Sequence, residues 1–294
     1  METRVLKYFL MVAKTGNITK AANALHVTQP TLSRQIMELE KELGTKLFIR
    51  QPRHMELTKG GALFQERAKM MLTLLQQTAN DLQQQNTDLT GTVHLGCVES
   101  SVSPFLAKLI QQFQKEHPAV RFSMFDGDGD TLREHLDRGL LDMAALIEPV
   151  EAAKYNYVVL PVKETWGIIM RSDDPLAVRQ QMNRADIYKL PLIVTRRHIV
   201  RNDVSDVLSL DQDKLDVRMT INLPMNGMQM IKRGGYYGLS ILGVFQNFND
   251  PDLAFVPVTP TKTTGHVLAW RKNVAMSPAS ERFLQLVADE ISVK

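Results

Sequence analysis

The sequence contains very little cysteine. Cys97 is the only one among 294 residues, which excludes an intrachain disulfide, a zinc site built on several cysteines and a two-cysteine redox switch within one chain. Cys97 falls in or beside a predicted buried strand, where an inert thiol is the common case; a reactive sensor would need a lowered pKa. No cofactor is predicted from the sequence.

Long hydrophobic runs are also missing. The sequence has no stretch of eighteen apolar residues, so no transmembrane helix is predicted. The segment from Met1 to Lys14 mixes charged and apolar residues and lacks the continuous apolar core of a signal peptide. These two absences predict a cytoplasmic protein that has no membrane partner.

Common catalytic and metal-binding motifs are absent too. There is no His-Glu-x-x-His, no Gly-x-Ser-x-Gly and no Walker loop, so nothing supports an enzyme. Residues 126–130 are similar to the start of a calcium loop, but Thr131 stands where such a loop needs Gly and Asp137 where it needs Glu. A turn before a helix is the preferred interpretation, and no metal site is predicted.

Charge is distributed unevenly along the chain. Residues 1–70 contain 12 Lys and Arg against 6 Asp and Glu, a net charge of +6 in a chain whose total is +3. The rest of the chain is therefore mildly acidic. A basic N-terminal segment favours a polyanion, such as nucleic acid, as its partner; chance clustering on a solvated face is the alternative.

Three short helices and a hairpin are predicted at the N-terminus. Apolar spacing predicts the first helix over about Thr3–Lys14, and Asn17 and Thr28 are suited to cap the second and the third. Two short strands, Lys46–Arg50 and Met55–Thr58, would then enclose a wing.

One long helix is predicted from about Thr58. The positions that recur in it at alternating spacings of four and three are Phe64, Ala68, Met71, Leu75, Thr78 and Leu82. This apolar heptad seam between Gln-rich flanks favours pairing of two chains; an ordinary amphipathic helix packed on its own domain is the alternative. Residues 86–91 are predicted to be a linker.

After Gly91 strands and helices alternate. The predicted strands are Thr92–Val98, Val120–Phe125, Leu141–Ile147, Val158–Leu160, Trp166–Met170, Leu192–Thr195 and Leu239–Leu242. The predicted helices are Pro104–Glu116, Thr131–Arg138, Val204–Leu208, Met225–Lys232 and Ser280–Ile291. The βαβαβ order at the start predicts a parallel sheet with helices on both faces, so this part belongs to the α/β class.

The first turns of the third helix suit DNA recognition. In a helix-turn-helix the second helix enters the major groove, and its N-terminal residues reach base edges. Gln29 suits the donor and acceptor edge of adenine, Thr31 a base edge or the thymine methyl, and Arg34 phosphate or guanine. The residues predicted to bind DNA are Thr28, Gln29, Pro30, Thr31, Ser33, Arg34 and, at the wing, Arg50 and Arg53.

Residues 1–60 resemble the DNA-binding domain of the LysR-type transcriptional regulators. The matching positions are Leu6, Phe9, Ala21, Ala22, Leu25, the run from Val27 to Ile36, Leu39, Glu40, Leu43, Gly44, the run from Leu47 to Arg50, Leu57, Thr58 and Gly60. Weaker matches follow around Gly91–Gly96, His117-Pro118, Leu141-Asp142 and Gly234–Leu239. The family pattern usually has Ser at the position of Asn17, and both residues can cap a helix.

The resemblance implies a domain organisation. It comprises a winged helix-turn-helix over residues 1–60, a linker and dimerisation helix over 61–90, and an effector-binding domain of periplasmic-binding-protein type over 91–294. The last domain would have two α/β subdomains, joined by two chain crossings, with a small effector in the cleft between them. Their implied boundaries are 91–161 with 266–294, and 162–265.

The family position also implies effector-binding residues. Ser100 and Ser101 precede a helix whose N-terminus suits an anion, with plain capping by Ser103 as the alternative. Thr195 and Arg196 end a strand at the implied cleft. Together with Arg197, His198 and Arg201, the charge of Arg196 favours an anionic effector, although solvated charge is commoner, and Glu99 would repel a carboxylate.

The combined interpretation is a transcription factor. It would bind double-stranded DNA as a homodimer, or by the family resemblance as a homotetramer, and would respond to a small-molecule effector. A solute-binding protein or an enzyme is the alternative, since the α/β half alone would suit either. A purely architectural DNA binder would not need some 200 residues of α/β domain.

Overall fold

The computed structural model describes residues 2–51, 54–83, 89–196, 208–260 and 263–292. The chain divides into two compact units, Met1–Gln83 and Gln84–Lys294. Within the described ranges, no helix is both long and apolar enough to cross a membrane.

The first unit is a three-helix domain with a hairpin and a long helix. Its elements are α1 (Thr3–Thr15), α2 (Ile18–Ala24), α3 (Gln29–Glu42), β1 (Phe48–Arg50), β2 (Met55–Leu57) and α4 (Lys59–Gln83). The predicted caps are confirmed, since Asn17 accepts a hydrogen bond from the Lys20 amide at 3.0 Å and Thr28 from the Thr31 amide at 3.4 Å. Gly16 ends α1 with a left-handed φ of 59°.

Aromatic side chains join the elements of this unit. Phe9 of α1 is fully buried, and its ring lies 5.1 Å from Phe48 of β1 and 4.8 Å from Phe64 of α4, edge-on to the latter. Leu32 and Ile36 bury the inner face of α3 in the same core. The recognition helix is thereby held on a packed scaffold.

A buried carboxylate attaches the hairpin to the end of α3. Glu40 is almost fully buried, and it accepts hydrogen bonds from the amides of Leu47 at 2.8 Å and Phe48 at 3.1 Å and from Lys46 Nζ at 3.0 Å. Burial alone would raise the pKa of Glu40, but these hydrogen bonds and the Lys46 charge outweigh it, so the pKa is lowered.

The second unit contains two five-stranded sheets. The first sheet has the order β4 (Val120–Asp126), β3 (Gly91–Cys97), β5 (Met143–Ile147), β12 (Thr264–Arg271) and β6 (Tyr155–Glu164). The second sheet has the order β11 (Leu253–Pro257), β7 (Trp166–Arg171), β10 (Tyr237–Ile241), β8 (Leu192–Thr195) and β9 (Val217–Ile221).

Both sheets are mixed, which corrects the prediction of a parallel sheet. Strands β3, β4 and β5 are parallel as predicted, but β12 runs antiparallel to β5 and to β6. In the second sheet, β7 is antiparallel to β10 and β11, while β8, β9 and β10 are parallel. The difference arises because β12 comes from far along the chain and inserts between β5 and β6.

Helices connect the strands on both sheets. They are α5 (Val102–Glu116), α6 (Gly129–Asp137), α7 (Arg184–Ile187), α8 (Pro224–Arg233), α9 (Leu242–Phe248) and α10 (Pro278–Ser292), with a short 3-10 helix at Gln212–Lys214. Because α5 already begins at Val102, Ser103 lies inside the helix and is not its cap. Apart from Leu208, the helix predicted over Val204–Leu208 lies outside the described residues. Strands β9, β11 and β12 were not predicted.

The chain passes between the two sheets twice. Thr165 separates β6 from β7, and the second passage runs from Pro257 to Thr264. The two passages are neighbours, since Trp166 Nε1 donates a buried hydrogen bond to Thr264 Oγ1 at 2.9 Å and the Val258 amide donates to the Trp166 carbonyl at 3.0 Å. The two connections between the sheets are therefore hydrogen-bonded to each other where they are described.

Substituting Glu40 by Gln should loosen the hairpin. The amides of Leu47 and Phe48 would lose an ionised acceptor, which costs on the order of 1–3 kcal/mol for buried groups. Because the pKa of Glu40 is lowered in the folded chain, its stabilising effect is present above the ordinary value of 4.5 and is lost as the pH falls through the folded-state value. Hydrogen exchange of the β1 segment, measured on the full chain, should therefore speed up in the variant.

The matched control is Lys46→Met, which removes only the exposed cation of the same cluster. It should have a smaller effect, because an ion pair with an exposed partner contributes little. Unchanged exchange at Leu47 and Phe48 in Glu40→Gln would contradict the anchoring role.

Candidate nucleic-acid interface and effector cleft

The outer face of α3 is open to solvent at its N-terminal end. Gln29, Pro30, Thr31 and Arg34 are exposed and Ser33 is half-buried. Since the other face of α3 is buried in the core, the helix presents these side chains on a fixed backbone. That arrangement is what a helix needs to enter the major groove with its first turns.

The polar residues at the exposed face of α3 differ in the hydrogen bonds that they already make. The hydroxyls of Thr28 and Thr31 hydrogen-bond to each other at 2.8 Å, so both take part in the cap. Arg34 Nε donates to Glu38 at 2.9 Å in an exposed pair, which costs little to break. Within the described part of the chain, the side-chain amide of Gln29 makes no hydrogen bond, so it is available to a base.

The wing is described only in part. Arg50 belongs to β1, but its side chain lies outside the described residues, and so does all of Arg53. Their predicted contacts with DNA stay predictions.

Helix α4 does not present its whole predicted seam to solvent. Phe64 and Ala68 pack in the core of their own domain, with Ala68 fully buried. Further along, Met71 is 36% and Leu75 48% exposed, and the side chain of Leu82 lies outside the described residues. The exposed part of the seam therefore begins at Met71.

A cleft lies between the two sheets of the second unit. The space within it, counted together with its wide opening to solvent, is about 800 Å³. Its lining is mostly aliphatic, with contributions from Ile147 of the first sheet and Val98 just after β3, and from Ile169, Ile193, Ile221 and Leu239 of the second sheet. Trp166, next to the first passage, also lines it.

The polar groups of the cleft are neutral or acidic. Thr195, Asn222 and Ser240 are neutral, and Glu99 and Asp128 carry carboxylates; none of the described lining residues is Lys, Arg or His. Burial raises the pKa of Glu99, and the neighbouring Asp126 raises it further. The predicted anionic effector thus finds no cationic partner among the described lining residues.

The other predicted effector residues lie in different places. Thr195 lines the cleft, whereas Arg196 is exposed and is not part of the lining. Arg197, His198 and Arg201 lie outside the described residues. The described cleft lining therefore contains none of the cations from which an anionic effector was predicted.

Ser100 and Ser101 are not in the cleft lining. Ser100 is fully buried, its hydroxyl lies 2.8 Å from His266 Nε2, and it accepts a hydrogen bond from the Val102 amide at 3.3 Å. The amide of Ser101 donates to Glu164 Oε1 at 2.7 Å. Both serines therefore belong to an internal network.

Glu164 occupies the place that an anion would take. Its carboxylate is fully buried, and it accepts hydrogen bonds from the amide of Ser101 at the start of α5 and from the amide of Gly243 at the start of α9, the latter at 3.1 Å. Helix N-termini favour negative charge. The anion site predicted at α5 is thus filled by the chain itself.

His266 completes this network. Its Nδ1 lies 3.2 Å from the Val162 carbonyl, and its Nε2 lies 3.7 Å from Glu164 Oε1. Burial lowers the pKa of His266, although the Val162 carbonyl and the carboxylates of Glu164 and Glu148 act in the opposite direction. No local signal pointed to Glu164 or His266, because they meet the serines only through the tertiary fold.

The remaining motifs have structural explanations. Asp128 caps α6 by accepting a hydrogen bond from the Thr131 amide at 2.8 Å, which confirms the prediction of a turn before a helix. Cys97 is buried, and burial, with the charges of Asp126 and Glu99, raises its pKa to about 12 despite a hydrogen bond with Ser103. Burial and a raised pKa are the features of a structural rather than a reactive thiol.

Comparison with protein families identifies both units. The family model described as "LysR substrate binding domain" matches residues 86–292, and the model described as "Bacterial regulatory helix-turn-helix protein, lysR family" matches residues 3–62. The chain belongs to the LysR family of transcriptional regulators. This LysR-family protein is accordingly a DNA-binding regulator with an effector-binding domain, and it is not an enzyme.

Relatives of this LysR-family chain are transcriptional regulators. The uncharacterised HTH-type transcriptional regulator YybE of Bacillus subtilis is 27% identical over 298 residues, which cover 99% of this chain and 100% of YybE. The HTH-type transcriptional activator IlvY of Salmonella typhimurium is 30% identical over 207 residues, covering 69% of this chain and 70% of IlvY.

Solved structures share the fold. CbnR, described as a LysR family transcriptional regulator, has a TM-score of 0.76 at 21% identity and covers 98% of this chain and 99% of its own. CbnR complexed with its target DNA has a TM-score of 0.75 at 22% identity, with the same coverage. The predicted α/β fold class with an N-terminal winged helix-turn-helix is confirmed.

Substituting Gln29 by Ala should reduce sequence discrimination. The change should weaken binding to the specific operator by about 1–3 kcal/mol, because the amide can both donate to and accept from adenine. Non-specific binding should barely change, because it depends on phosphate charge. Electrophoretic mobility shift with operator and unrelated DNA measures both.

Thr28→Ala is the matched control at the neighbouring position. Thr28 caps α3, so this variant should lose about 1 kcal/mol of stability and weaken binding to both DNAs. If Gln29→Ala keeps wild-type operator selectivity, Gln29 does not contact a base.

Proposed function

We propose that this LysR-family regulator binds a specific DNA sequence through α3 and that a small molecule in the cleft controls this binding. The observation that carries the proposal is the exposed first turn of α3, where the Gln29 side-chain amide makes no hydrogen bond to any described residue and the opposite helix face is buried. The likeness to the CbnR structure with target DNA supports the same use of this domain. A DNA-binding regulator of this kind would act in the cytoplasm.

The cleft offers a physical basis for control. Val98 and Glu99 directly follow β3 of the first sheet, whereas Ile193 and Leu239 lie in β8 and β10 of the second sheet. One ligand in the cleft can therefore contact both subdomains at once. A ligand shifts a conformational equilibrium only by the difference in its affinity for the two states. A cleft between two sheets supplies such a difference, because its width changes when the sheets move relative to each other.

We further propose that two chains pair through the exposed part of the α4 seam. Met71 and Leu75 are four residues apart and lie on one side of a helix whose apolar positions continue at heptad spacing. A symmetric dimer suits two half-sites about one helical turn of DNA apart. The family resemblance also implies a tetramer, and analytical ultracentrifugation of the wild type distinguishes the two states.

Selection of DNA tests the proposed function directly. The purified full chain is incubated with fragmented genomic DNA, and the retained fragments are sequenced. We expect a few strongly enriched sites with paired half-sites, which Gln29→Ala should no longer enrich. Uniform retention of all fragments, equally lost at high salt, would contradict sequence-specific recognition.

Leu75→Asp should weaken the dimer. It places an unpaired carboxylate in an apolar interface, where a buried charge without a partner is costly. Analytical ultracentrifugation should then show monomers at concentrations at which the wild type is a dimer or tetramer.

Thr73→Asp is the matched control, because Thr73 is exposed on α4 two positions from Leu75 and therefore points away from the seam. It adds the same charge and should keep the wild-type oligomeric state. A Leu75→Asp protein that sediments like the wild type would remove the seam from the proposal.

A further inference from the structure

The charge of the described cleft limits the kind of ligand that it can hold. We propose that the cleft takes a mainly apolar ligand that carries a protonated amine, with the amine at Glu99 and Asp128. This inference rests on the proposed effector function and names the class of molecule that the same cleft would bind.

The apolar part of the ligand follows from the walls. Aliphatic side chains from both sheets and the ring of Trp166 line the cleft. Such walls stabilise a ligand by removing apolar surface from water, and they offer nothing to a small, highly charged metabolite. A hydrocarbon or aromatic group suits this lining.

The amine follows from the acidic end of the cleft. Glu99 is half-buried, and its carboxylate has no ion pair or hydrogen bond among the described residues, while Asp128 uses one oxygen to cap α6. Asp126 adds further negative charge nearby, which is reflected in the raised pKa of Glu99. A protonated amine would supply the counter-charge that Glu99 lacks among the described residues, and it could donate a hydrogen bond to a lining carboxylate.

A carboxylate is disfavoured for a second, independent reason. The N-terminus of α5 is the anion site expected from the sequence, and its Ser101 amide already donates to Glu164, as does the Gly243 amide of α9. Other donors among the described lining residues include the hydroxyls of Thr195 and Ser240, the side-chain amide of Asn222 and the starts of α6 and α8. The hydroxyls and the Asn222 amide suit a neutral oxygen acceptor on the ligand, such as a hydroxyl or carbonyl oxygen.

Three probes with one carbon skeleton test the inference. They are 3-phenylpropylamine, 3-phenylpropan-1-ol and 3-phenylpropanoate, each titrated into the full chain at neutral pH by ligand-observed NMR. We expect the amine to bind at least about tenfold more tightly than the carboxylate, because one charge-assisted hydrogen bond is enough for such a difference. The alcohol should lie between them.

Glu99→Gln should abolish most of this preference. Glu151→Gln is the matched control, since Glu151 is a solvent-exposed carboxylate outside the cleft lining that pairs with Lys154; it should keep the preference. Equal or tighter binding of the carboxylate, no binding of the amine at millimolar concentration, or an unchanged preference in Glu99→Gln would each overturn the inference.

Binding of the selected operator is measured on the same protein samples. If the wild-type chain does not bind the selected operator, the proposed regulator function is contradicted. If it binds the operator but shows no preference for the amine, only the proposed ligand class is contradicted. A melting curve of Glu99→Gln confirms that the variant is folded.

Discussion

The buried carboxylate of Glu164 is the group on which the effector-binding unit depends. A fully buried charge costs several kcal/mol unless hydrogen bonds replace its hydration, and here the donors come from two helices that belong to different sheets. Gly243 leaves no room for a side chain, because a Cβ there would lie 2.0 Å from the Ser101 amide nitrogen. The start of α5, the start of α9 and the end of β6 must therefore stay together.

The cleft is built directly around this anchor. Glu99 precedes Ser100, Trp166 follows Glu164 by two positions, and Val244 follows Gly243, and all three line the cleft. A ligand that contacts them touches the immediate neighbours of the residues that join the two sheets. The same carboxylate thus joins elements of both sheets and accepts from two helix N-termini next to the cleft.

The DNA-binding unit also contains a buried carboxylate that accepts hydrogen bonds from backbone amides. Glu40, at the end of α3, accepts from two amides that lead into the hairpin, so the recognition helix and the wing are positioned by one buried acid. In both units the carboxylate is satisfied mainly by backbone amides. Backbone donors are fixed by the fold itself, and such contacts give a defined geometry to the elements that carry them.

The sequence by itself determined the features that depend on near neighbours. The caps at Asn17 and Thr28 involve residues three positions away, and the pattern of the recognition helix and of strands β3 to β5 is equally local. Only the tertiary structure decided whether Phe64 and Ala68 pack on their own domain, because a heptad spacing looks the same on either kind of partner. Only the tertiary structure placed β12 between β5 and β6 and brought Glu164 to Ser101, 63 residues away in sequence. The sequence shows where a helix begins and therefore where backbone amides need an acceptor. Only the path of the chain determines whether a ligand or a distant side chain supplies that acceptor.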